Sequence, residues 1–238
     1  MPYLLLIPTA AEAAGLLGDA HAATLGAAAG RPCTIGVDGV NLVAALCGFG
    51  LAAAGAGARH AAACLPEGDG QMALCLAGIA GTYDPGLAPI GSAIVGTAVT
   101  CWGIGVGEGE AHQSAARLGW SQALGEPPLG EAQRLPLAPA RVGHGVRGEI
   151  LSVTAASASA GEAARRRDQH PAALVEDMET FAVALAARFI GAPLTVVRGV
   201  SNVAGDRDKS RWRVPDAMVA LRTLLLDVLS FPEGVASR

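Results

Sequence analysis

The chain of 238 residues is 51% hydrophobic, 16% charged and only 4% aromatic, and it carries 32 glycines. This composition excludes a disordered chain and calls for close-packed strands and helices with a core built mainly from Ala, Val and Leu. The net charge of −4 gives no electrostatic reason to expect a nucleic-acid partner.

In chain order, the wholly apolar run Tyr3–Ile7 predicts a buried strand, ended by Pro8 and Thr9, with a helix over Ala10–Leu17 that carries Glu12 in its first turn. Thr34–Val37 predicts a strand and Asp38-Gly39 a turn; Asn41–Leu51 then reads as a helix. Met72–Leu76 predicts a central strand ending in the turn Gly78-Ile79-Ala80-Gly81, and Ala93–Thr100 a further strand. Residues 103–149, rich in Gly, Pro and charge, read as the least regular stretch. Ile150–Thr154 reads as a strand and Ala160–Asp168 as a short helix. Asp177, Met178 and Glu179 open a helix that precedes a Gly-Ala-Pro turn; the strand Leu194–Val200 runs into Ser201 and Asn202, and the helix Ala217–Leu229 closes the chain. Strands alternating with helices predict one α/β layered domain over 1–238.

Five cysteines, an odd number without a C-x-x-C pair, read as buried thiols of a reducing cytosol. The five histidines, His144 among them, are scattered without metal-ligand spacing, so no metal is expected. No basic segment precedes the first apolar run, so no secretory signal is read. Two long uncharged runs, Gly39–Ala58 and Pro85–Gly107, are long enough to span a membrane, but their glycines and prolines argue against it.

Each candidate for chemistry has a plain structural reading beside the functional one. Glu12 suits a helix N-terminus, and equally a general base at the carboxyl end of a strand. Gly78-Ile79-Ala80-Gly81 suits a tight turn, or close approach of backbone to a ligand. The run Gly103–Gly109 lacks both the lysine of a phosphate loop and the fitting glycine spacing, and reads as a flexible loop. Glu179 suits a helix start, Asn202 a turn, and Asp206 to Lys209 a solvated loop. Trp212 beside that loop suits a cover over a pocket, or a side chain that packs the loop down.

The order of these elements is more specific than any one of them. Glu12, the Gly78–Gly81 segment, Asp177-Met178-Glu179 and Ser201-Asn202 together resemble the nucleoside phosphorylase/nucleosidase superfamily from Leu4 to about Leu229. Within it, the segment Ser201 to Trp212, with its S-N, G-x-R-D and Trp, is most similar to the futalosine hydrolases. The resemblance implies a single three-layer α/β domain with a central mixed, partly barrel-like sheet flanked by helices. It further implies a cytoplasmic homodimer or larger homo-oligomer, with no cofactor, no nucleic acid and no membrane partner.

The activity implied is hydrolysis of futalosine, a purine nucleoside, to hypoxanthine and dehypoxanthinyl futalosine in an alternative route to menaquinone. Glu12 then activates water, Glu179 binds ribose hydroxyls with the backbone of Met178, and Gly78, Ile79, Ala80 and Gly81 line the ribosyl side. Asn202, next to Ser201, stands where adenine-specific relatives carry Asp. Its NH2 offers two donors to the N7 and O6 acceptors of hypoxanthine, which an ionised Asp would repel. Arg207, Lys209 and Arg211 are candidates to meet the aryl carboxylate of the 5′ extension, Arg207 being the residue assigned. Leu151–Ser159 departs from the family pattern in having no aromatic to stack on the base. No basic cluster follows the glycine segments and Glu12 would repel phosphate, which favours water over phosphorolysis. A phosphorylase acting on inosine or guanosine is the first alternative, and a catalytically silent nucleoside-binding protein the second.

Overall fold

The computed structural model describes residues 3–66, 72–115, 117–120, 133–140, 142 and 145–230; His144 lies outside them. Strand β1 (Tyr3–Ile7) is buried along four of its five residues. Thr9 caps α1 (Ala10–Leu17), accepting the Glu12 N–H on its hydroxyl at 3.2 Å. Helix α2 (Asp19–Ala27) leads into a hairpin of β2 (Cys33–Val37) and β3 (Val40–Leu46), followed by α3 (Gly50–Ala63).

The helix expected over Asn41–Leu51 is therefore corrected: its first half is a strand. Asp38 and Gly39 form a two-residue hairpin turn, both at positive φ (50° and 81°). The turn sets β3 antiparallel to β2, while β1 pairs with its other edge. Pairing on both sides outweighs the helical preference of the alanines.

Next come β4 (Ala73–Thr82), β5 (Ala93–Trp102), the ribbon β6 (Gly105–Val106) with β7 (Gln113–Ser114), β8 (Leu135–Pro136) and β9 (Val146–Val153). The glycine run expected as a loop thus contributes one strand of that ribbon. Helix α4 (Ala160–Gln169), β10 (Ala173–Asp177), α5 (Thr180–Ile190), β11 (Leu194–Val203) and α6 (Val214–Ser230) complete the described chain. Two further expectations change. Gly78–Gly81 is strand, not turn, because β11 pairs with β4 through Thr82. Asp177 ends β10 instead of opening a helix, and α5 begins at Thr180.

The sheet runs β10-β9-β5-β11-β4-β1-β3-β2, and β10 also pairs with β4, which closes β4, β11, β5, β9 and β10 into a five-stranded mixed barrel. The remaining strands β1, β3 and β2 extend it as an open wing. One core layer packs under α3 and α5, a second under α1, α2 and α6, and a smaller one beside α4. This is the three-layer, partly barrel-like α/β fold expected from the sequence. Among the described residues no helix is long and apolar enough to cross a membrane.

The closure also positions the site. One edge of β4 pairs with β1 as far as Leu76 and picks up β10 only at Gly81. The stretch between them has no strand on that edge, and it opens at the carboxyl ends of β1 and β4. That is where an open α/β sheet leaves room for a ligand.

Candidate active site

A cavity of about 360 Å³ occupies this opening, in the range of small-molecule sites. Glu12, Ile79, Ala80 and Gly81 line one side, Met178 and Glu179 another, and Ser201, Asn202 and Arg207 a third. Nine of the ten residues singled out in the sequence thus meet at one place. The tenth, Gly78, is not in the wall. It sits behind it, where a Cβ would lie 2.3 Å from Arg198 Nη1 and 2.7 Å from Glu12 Oε1. The glycine keeps a gap open between a base and an acid.

Glu12 serves both readings of it. Its backbone N–H takes the helix cap, while its carboxylate accepts the Thr9 hydroxyl on Oε2 (2.7 Å) and the Ile79 N–H on Oε1 (3.1 Å). Ile79 lies in the unpaired stretch of β4, so the carboxylate satisfies a donor that no strand reaches. One bond per oxygen leaves lone pairs for a water or a hydroxyl.

Glu179 precedes α5 but does not cap it; Asp177 does, accepting the Thr180 N–H and hydroxyl. The Glu179 carboxylate reaches across to the Gly50 N–H at 3.1 Å. It is only 4% exposed. Burial, the largest cause, pushes it up to about 7; Arg198 opposes that shift, and Asp177 and Glu12 add to it.

Arg198 is a buried charged residue beside the cavity that the sequence analysis did not single out. It lies in the otherwise apolar β11, is fully buried, and its Nη2 donates to Asp177 Oδ2, Thr180 Oγ1 (3.0 Å) and, at 3.5 Å, Glu179 Oε2. Its Nε and Nη1 have no partner among the described residues. The detectable signal is a lone arginine in a buried apolar run, since a buried charge needs partners. Asp177 is fixed further by Ser152 Oγ at 2.5 Å.

Asn202 lies just past a register shift in β11, between Val200 and Asn202, which re-aims the two polar side chains. Ser201 Oγ donates to Asn202 Oδ1 (2.8 Å), and Asn202 Nδ2 donates to the Val203 carbonyl (2.8 Å). The expectation of two free amide donors is therefore corrected to one: the other is held by its own strand.

At the mouth, the Arg207 guanidinium stands 5.3 Å from the Trp212 ring centroid, and Trp212 is pinned by its Nε1–H to the Asp206 carbonyl (3.0 Å). Arg211 pairs with Asp206 (2.8 Å) and Lys209 lies outside the cavity wall, so of the three cations only Arg207 faces the site. Where the sequence lacks an aromatic, Val153 and Ala156 form the wall; Phe49 and Trp212 supply the cavity's aromatic surface.

Residues 2–230 match the Phosphorylase superfamily. The chain is 36% identical over 187 residues to a futalosine hydrolase of Streptomyces coelicolor, covering 73% of this chain and 75% of that one. It is 32% identical over 150 residues to a futalosine hydrolase of Acidothermus cellulolyticus, covering 62% and 60%. In structure it is similar to the 5′-methylthioadenosine/S-adenosylhomocysteine nucleosidase of Neisseria meningitidis in complex with methylthio-immucillin-A, with a TM-score of 0.68, 16% identity and coverage of 96% and 99%. The chain belongs to the Phosphorylase superfamily and, within it, to the family of the futalosine hydrolases.

Proposed function

We propose that the protein hydrolyses the N-glycosidic bond of futalosine, releasing hypoxanthine and dehypoxanthinyl futalosine, in the futalosine route to menaquinone. The observation that carries the chemistry is the carboxylate pair Glu12 and Glu179 in one cavity with a buried, half-partnered Arg198 between them and the sheet. Glu12 takes the proton of a water that attacks the anomeric carbon as the bond to the base opens. Arg198 Nη1, facing the same gap over Gly78, is available to hold that water. Glu179 accepts from the ribose hydroxyls, and its charge stabilises the cationic ribosyl centre as it develops.

Asn202 has one N–H left for the N7/O6 edge of a 6-oxopurine, and Arg207 stands at the mouth where a carboxylate on a 5′ extension would emerge. The balance of charge supports water as the nucleophile. Arg198 faces Asp177, Glu179 and Glu12, so even with one of the three protonated the site stays anionic and repels phosphate. Exposed Phe189 and Ile190 near the apolar groove between α3 and α5 support a homodimer through that face. The five free cysteines support a cytoplasmic location.

Asn202→Asp tests the base assignment. Release of hypoxanthine should fall by about 100-fold or more, with some gain on adenine nucleosides; an unchanged preference would contradict it. A phosphorylase would instead turn over inosine only when phosphate is added.

A further inference from the structure

We infer that Glu176 is a second specificity residue for the base, an acceptor that reads the N1–H of a 6-oxopurine from the side opposite Asn202. The inference rests on the nucleosidase reading of this cavity and deepens it. Sheet register brings the two residues together: Asn202 of β11 and Glu176 of β10 both pair with Gly81 of β4, one from each side. Residues directly paired across strands project to the same face. The residue between them has no side chain; a Cβ on Gly81 would stand 3.3 Å from Asn202 Nδ2. Both Asn202 and Glu176 line the cavity, so amide and carboxylate flank an opening over a glycine.

The carboxylate is only 5% exposed, and its hydrogen bonds are unevenly divided. Oε2 accepts from Tyr83 Oη (2.8 Å), Ser157 Oγ (2.6 Å) and Arg166 Nη1 (3.3 Å), whereas among the described residues Oε1 accepts only the Ser157 N–H (2.8 Å). Oε1 therefore keeps a lone pair. Burial, reinforced by Glu176 itself, holds the Tyr83 phenol well above its ordinary range, so that donor stays protonated. The same contacts use up the Ser157 N–H, and Arg166 Nη1 also holds the Ala155 carbonyl (2.9 Å). The loop after β9 is thus fixed with this donor already engaged by Glu176. A 6-oxopurine has a hydrogen on N1 and adenine has a lone pair there. A carboxylate accepts the first and repels the second, an asymmetry a buried polar site can turn into strong discrimination.

The test has two arms. On the native protein, hypoxanthine, 1-methylhypoxanthine and adenine compete against futalosine turnover; the two others should bind about 30-fold more weakly than hypoxanthine, or worse. In Glu176→Gln, which keeps the size of the side chain, the hypoxanthine-to-adenine affinity ratio should collapse to within about 3-fold. A purely structural role would lower Tm and the active fraction while leaving that ratio untouched, and this result would overturn the inference. Equal binding of hypoxanthine and its 1-methyl derivative to the native protein would overturn it without any variant. Failure of the native protein to bind any purine would overturn the nucleosidase reading, and this inference with it.

Discussion

Arg198 and Asp177 form an ion pair in which neither side chain has any solvent exposure. Such a pair is held in place less by its own attraction than by the cost of breaking it, since a lone buried charge has nowhere to be solvated. Arg198→Met should destabilise the protein by about 3–5 kcal/mol, and adding Asp177→Asn should recover part of that loss. Urea denaturation measures both; a loss below about 1 kcal/mol would show that the pair does not anchor the site.

Glu179 makes activity and stability move in opposite directions with pH. Its carboxyl titrates near 7 in the folded protein because of burial. The anionic form is the one that serves the ribosyl cation, so kcat/KM should rise as pH passes upward through about 7. The folded-state pKa is raised, so the stabilising contribution is complete below the unfolded value and is lost as pH rises through the folded one. Measured against Glu179→Gln, which carries the same opposing contribution from half-buried His170, the Tm of the unliganded protein should therefore fall between pH 5 and pH 8. Glu179→Gln should abolish the acid limb of the rate profile and remove this part of the Tm dependence. A rate profile unchanged in shape would remove Glu179 from the mechanism.

Arg207 should act on one part of the substrate only. Its charge faces the cavity mouth and makes no salt bridge among the described residues, in contrast to Arg211. Arg207→Gln should raise KM for futalosine by about 10-fold, as expected for a lost charge-assisted contact, and leave inosine within 2-fold. Equal effects on the two nucleosides would show that the guanidinium does not meet the 5′ carboxylate.

Glu12 should separate chemistry from folding. Gln in its place can still accept the Ile79 N–H on its amide oxygen and can turn its NH2 toward the Thr9 hydroxyl, but it cannot take a proton. Glu12→Gln should lower kcat by about 100- to 10,000-fold while Tm moves by only a few degrees. Near-normal turnover in a well-folded variant would mean that another group activates the water.

Much of this arrangement is legible in the sequence, because the site lies where local signals are strong. Thr9 and Glu12 announce a helix start after an apolar strand, and Ser201-Asn202 are polar residues at the end of a buried one. Glu179 is legible as a site acid, although its partner Gly50 is 129 residues away and depends on long-range packing. What was not legible depends on strand pairing. The strand Val40–Leu46 is rich in helix formers and becomes a strand only between two partners. Gly78–Gly81 has turn composition but is held straight by β11. Arg198 and Glu176 carry no local motif; each is explained only by the carboxylates, hydroxyls or guanidinium that the closed barrel brings to it.

Hydrolysis of a 6-oxopurine nucleoside in this cavity must yield the free base without phosphate. The most direct measurement is chromatographic detection of free hypoxanthine from futalosine, with inosine and methylthioadenosine in parallel, each with and without added phosphate. Release from futalosine should proceed at a rate that phosphate does not raise, with methylthioadenosine inert. Phosphate-dependent release from inosine, or no release from any of the three, would contradict the hydrolase reading.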